Sequence, residues 1–224
     1  MKKILCVLMC VCLVSVASAE FITVTDSVAN TYGNTQGMAI DFDTTTADLN
    51  AAITAGWAPA LVDGQQYSLD SISLRSGAEA LAGTGNVYLG VYQGLAEGGA
   101  LSGFLGTSVN AIDWPAVTAG EWAQYTFSGI NVTADSTVGS GTGMLYFVFQ
   151  QTTDAKTTSY GDEIRLQRIN VDTTINQALS SVIAYGGLSP QRAAEYQAVV
   201  TAVPEPATMV ILGLGSLLAL KRRK

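Results

Sequence analysis

The chain has 224 residues, with 11 Lys and Arg against 18 Asp and Glu, no His, and three Cys. Without His there is no imidazole base for a Ser or Cys nucleophile and no His-ligated zinc site. Between positions 20 and 203 five Lys and Arg stand against seventeen Asp and Glu, a net −12, and this excludes nucleic acid as a partner, because phosphate contacts need clustered cations.

The chain opens MKKILCVLMCVCLVSVASAE. Lys2 and Lys3 form a cationic start, 4–16 an apolar stretch, and Ala17-Ser18-Ala19 the small-x-small pattern that signal peptidase requires. Residues 1–19 therefore read as a secretory leader that forms a helix and is cut after Ala19. Glu20 stands where a lipoprotein would carry its acylated Cys. Cys6, Cys10 and Cys12 leave with the leader, so the exported part must hold itself together without disulfides. Residues 20–202 are long enough for one sizeable core.

Short β-branched and aromatic runs follow in order: FITVTDSV, GMAIDFDT, YSLDSISLRS, NVYLGVYQG, GFLGTSVNAI, EWAQYTFSGINV, GMLYFVFQQT and EIRLQRINV. Most alternate apolar with polar residues, and Gly- and Ser-rich turn signals separate them. This spacing predicts an all-β fold, an antiparallel, jelly-roll-like β-sandwich. No crossover helices separate the runs, which argues against a parallel sheet. Two stretches differ. TTADLNAAITAGW places Leu49, Ile53 and Trp57 at four-residue spacing and reads as a short helix. SPQRAAEYQAVVTA, with Ser189 as N-cap and Pro190 at the first helical position, reads locally as a helix. Its Val199 and Val200 would alternatively supply an edge strand.

The last segment, 203–224, is Val203-Pro204-Glu205-Pro206, an apolar run over 207–220, and Lys221, Arg222, Arg223 and Lys224. These fourteen residues, interrupted only by the polar Thr208 and Ser216, make a helix of roughly 21 Å, short for a bilayer core but extendable by snorkelling cations and local thinning. Pro206 suits the helix start. The four cations stay on the cytoplasmic side and complement the helix C-terminal dipole.

These three parts, in this order behind a leader, resemble the bacterial PEP-CTERM sorting signal. The resemblance implies recognition of Pro204, Glu205 and Pro206 by an exosortase, a membrane transpeptidase-like protease. It further implies a membrane-anchored intermediate at the inner membrane and delivery to the cell surface or the exopolysaccharide matrix. The run from SLDSISLRSG to LYFVFQ, with its GEW…TFSGI phrase, resembles the sandwich modules found upstream of such tails and related to carbohydrate-binding domains. That likeness implies a binding or structural module and not an enzyme.

Three chemistries remain open to these residues. Polysaccharide binding would use exposed aromatic platforms: Trp114, which precedes Pro115 in a loop, and Tyr88 and Tyr92, which lie opposite Val87, Leu89 and Val91. Trp57 and Trp122 read as caps on the core. A Ca²⁺ site would draw on Asp41 and Asp43, on one face of a strand, and on Asp48 in the following turn; no other cofactor is expected. A secreted carbohydrate-active hydrolase would need a carboxylate pair, for which Glu121 and Glu163 at strand starts are the best placed. The leading expectation is a non-enzymatic, exported surface or matrix protein.

Overall fold

Alternation sorts side chains to the two faces of each strand, and two faces of opposite character must be buried against one another. The computed structural model describes residues 19–24, 31–42, 61–77, 85–134, 144–162, 164–170, 180–184, 187–189 and 192–204. Fifteen strands lie among them: β1 (Ala19–Val24), β2 (Thr31–Thr35), β3 (Gly37–Asp41), β4 (Gln66–Arg75), β5 (Asn86–Leu95), β6 (Leu101–Thr107), β7 (Ile112–Asp113), β8 (Trp122–Thr126), β9 (Asn131–Thr133), β10 (Met144–Gln150), β11 (Ile164–Asn170), β12 (Ser180–Ala184), β13 (Gly187–Ser189), β14 (Arg192–Ala194) and β15 (Tyr196–Ala202). All their pairings are antiparallel.

One sheet runs β1-β15-β4-β8, with β9 also on β4; the larger sheet runs β13-β12-β3-β10-β5-β6, with β7 on β5. Between them Leu69, Ile72, Leu74, Tyr125, Tyr196 and Val200 meet Met38, Ile40, Leu89, Val91, Phe147 and Phe149, all wholly buried in one cluster. A three-stranded sheet, β14-β11-β2, closes one corner. There β2 passes through Gln36 into β3, and β14 passes through Glu195 into β15, so two strands leave this corner for opposite sheets. Both linking residues are buried, and Glu195 pairs with Arg75 at 3.1 Å.

The run YSLDSISL changes phase: Tyr67 and Leu69 face the core, and then Ile72 and Leu74 do. A regular strand cannot do this, because its side chains alternate strictly. The register shift lies opposite the step from Val199 to Val200, leaving Asp70 as an extra residue on β4. This bulge restores the inward phase.

The stretch expected to be a helix after Ser189 is strand instead, as β14 and β15. Nor does β15 lie at an edge; it sits between β1 and β4. Tyr196, Ala198 and Val200 are all fully buried at every second position, and that slot between two strands outweighs the local helical preference of an Ala-rich run. Strands β2, β12 and β13 carry no run singled out in the sequence. The helix expected over TTADLNAAITAGW lies outside the described residues. Among the described residues no helix is long and apolar enough to cross a membrane; the leader helix and the apolar helix over 207–220 also fall outside them.

Candidate functional site at the end of the five-stranded sheet

Strand β15 carries the chain to the last described residues before the basic tail. Its end is held on both sides, since Thr201 pairs with Ser68 of β4 and with Ala19 of β1. The hold continues one residue past the strand. The Val203 N–H donates to the Gln66 carbonyl at 2.8 Å, and the Gln65 side-chain amide donates to the Val203 carbonyl at 2.7 Å and to the Gln66 carbonyl at 2.8 Å.

Gln65 owes its position to a tight turn over 62–65. Its N–H donates to the Val62 carbonyl at 3.0 Å, and Gly64 takes a φ of 72° that side chains disfavour. The turn is tied to the end of β9: the Gly64 N–H donates to the Ala134 carbonyl and the Ala134 N–H to the Gln65 carbonyl. The Val62 N–H donates to the Tyr67 hydroxyl, which leaves the Val62 side chain 63% exposed at this end.

Pro204 follows at once and is exposed. Glu205, Pro206, Lys221, Arg222, Arg223 and Lys224 lie outside the described residues, as does Ala17. Ala19, the expected last residue of the leader, opens β1 directly opposite Thr201. The two expected processing points therefore leave neighbouring strands at one end of one sheet. The groups around Val203 are amides and carbonyls, and what they can do chemically is hold an extended peptide.

The aromatic candidates are placed differently from one another. Trp114, expected in an exposed loop, is 5% exposed. It opens a 3₁₀ turn with Pro115, and its indole N–H donates to the Tyr125 hydroxyl at 2.6 Å. Burial pushes the Tyr125 phenol up, against the smaller opposing effect of that hydrogen bond. Tyr92 is 1% exposed and belongs to a second apolar cluster with Val148 and Ile183. Its hydroxyl donates to Gln150 Oε1 at 2.9 Å and accepts the Lys156 N–H at 2.7 Å. Its phenol is also raised, chiefly by burial, while the Lys156 N–H works the other way. Neither Trp114 nor Tyr92 offers a free ring face.

Tyr88 is half-buried on the same outer face of β5 as Tyr92. The sequence reading missed Phe104, which pairs in register with Tyr92, packs on its ring at 5.2 Å and stays 37% exposed. Its signal was weak, because a bulge on β6 breaks the alternation around it. Trp122 is half-buried and stands outside the main core, between buried Ala123 and exposed Glu121.

Asp41 ends β3, while Asp43 and Asp48 lie outside the described residues. Among the described residues no three His, Cys, Asp or Glu side chains gather as a metal site would require. Glu121 is exposed beside a turn over 118–121, and Glu163, its expected partner in a carboxylate pair, lies outside the described residues.

No curated protein and no solved structure matches the chain. Residues 202–224 match the PEP-CTERM protein-sorting motif, which begins on the final residue of β15. The chain thus carries, from the point where its sandwich ends, the signal of an exported protein sorted by an exosortase and processed at the membrane.

Proposed function

We propose that this chain is the precursor of a non-enzymatic surface or extracellular-matrix protein whose sandwich associates with polysaccharide. The observation that carries the reading is the junction itself. A sorting motif starts where an interior strand of the sandwich ends, so the chain divides into a folded cargo and an address. The leader threads the cargo outward, the apolar run stops transfer, and the basic end stays inside. The net −12 of residues 20–203 repels nucleic acid and anionic lipid and favours an uncharged partner. Tyr88 and Phe104, on the outer face of the larger sheet, are partly open aromatic surfaces beside which pyranose C–H groups would lie.

Two measurements test this. Cell fractionation should find the full chain processed and at the surface or in the matrix, and a variant lacking 204–224 displaced from there; identical distributions overturn the sorting reading. The processed protein on an array of neutral polysaccharides should bind, with Phe104→Ala weakening it. A flat array overturns the polysaccharide association and leaves a purely structural matrix role.

A further inference from the structure

Proteins that recognise a peptide often take it in extended form, as a strand added to a sheet edge. Recognition of Pro204-Glu205-Pro206 in that form would draw the residues just before them, Ala202 and Val203, which lie at the start of the matched motif, toward the enzyme's cleft. In the folded protein those residues are already engaged. Thr201 and Ala202 are laddered to Ser68 and Tyr67, and Val203 is bonded through both its N–H and its carbonyl. Only three residues separate Val203 from Ala207, where the apolar run begins. An extended chain covers about 3.4 Å per residue, so the sheet end has little slack from the membrane. One backbone segment cannot satisfy the sheet and the cleft together.

We propose that the folded sandwich restrains its own sorting site, and that the hold of Gln65 and Gln66 on Val203 is the latch. Processing proceeds on chains whose β15 end has peeled from β4 or has yet to close. The partner is the exosortase cleft, and the surface that competes with it is the turn over 62–65 together with the end of β4. The inference rests on the sorting reading above.

Pulse-chase labelling of the full chain in cells that express the exosortase tests it, reading the conversion of precursor to processed form. Gln65→Ala removes the side-chain donor to Val203 while leaving the turn's backbone bonds intact. It should speed conversion roughly threefold to tenfold, the change expected on losing one such hydrogen bond. Six Gly and Ser residues inserted between Val203 and Pro204 leave the sandwich unaltered and give the cleft free residues; they should speed conversion at least as much. Pro204→Ala combined with Glu205→Ala should stop conversion in every background. If the Gln65 variant and the insertion both convert at the parent rate, or more slowly, the latch is overturned while the sorting reading stands. If the double-alanine chain converts as the parent does, the sorting reading itself fails and the latch fails with it.

Discussion

Three aromatic residues show how burial decides what a side chain can do. Trp114 precedes a proline, and that pair reads as an exposed loop. The ring nonetheless enters the core, because the Tyr125 hydroxyl satisfies its N–H at 2.6 Å and Phe149 meets it edge-on at 6.4 Å. Nothing local to Trp114 announces Tyr125, eleven residues away. Tyr125→Phe keeps the ring but strips the buried indole N–H of its acceptor, and should cost about 1–3 kcal/mol in urea unfolding. The same residue sets a pH dependence. The phenols of Tyr92 and Tyr125 are both raised from the ordinary value of 10.0, chiefly by burial. A raised phenol contributes stability that is complete below the unfolded pKa and is lost as pH climbs toward the folded one. The melting temperature should therefore fall above about pH 10, and fall less steeply in Tyr125→Phe. An equal slope in both proteins would refute the assignment to Tyr125.

Elements differ in how openly they declare themselves. Strands β4, β5 and β10 are written in alternating or continuously apolar runs, and even the bulge of β4 is legible as the phase change in LDSI. Deleting Asp70 would return β4 to strict alternation with Tyr67, Leu69, Ile72 and Leu74 still on one face; the expected outcome is that the cooperative thermal transition survives, and its loss would refute the reading of Asp70 as the extra residue. Strand β15 is the opposite case, because Ala-rich EYQAVVTA carries good helix formers and becomes strand when β1 and β4 supply its hydrogen bonds. The corner where β14 turns into β15 depends on Glu195, whose side chain is 0% exposed, paired with an Arg75 that is 34% exposed. Arg75 also donates through Nε to the Gly120 carbonyl at 3.0 Å. Arg75→Ala removes a charged partner from a buried carboxylate and should cost about 3 kcal/mol, with water screening at Arg75 keeping it at the low end. Arg75→Lys should lose less, and equal losses in the two variants would show that charge is not what matters at this corner.

For the whole molecule the decisive relation is between the ends and the middle. Strand β15 is an interior strand, so the sheet is incomplete until nearly the last exported residues have emerged. Truncation before Tyr196 should abolish folding, because it removes Tyr196, Ala198 and Val200 from the core and strips β1 of its partner. Truncation after Val203 should leave the melting temperature within a few degrees of the parent while changing where the protein accumulates. Circular dichroism melts of both, set beside cell fractionation, separate fold from address.

The sorting signal and the antiparallel β class were written in the sequence, since each depends on the order or period of nearby residues: Pro-Glu-Pro before an apolar run and cations, alternation along single strands. Which strand stands beside which was decided by tertiary structure alone. Burial and hydrogen bonding are settled between segments far apart in the chain, as where Gln65 reaches Val203 across 138 positions. For the same reason two aromatic candidates vanished into the interior, Phe104 emerged, and the first residue of the sorting motif, Ala202, became the last of an interior strand.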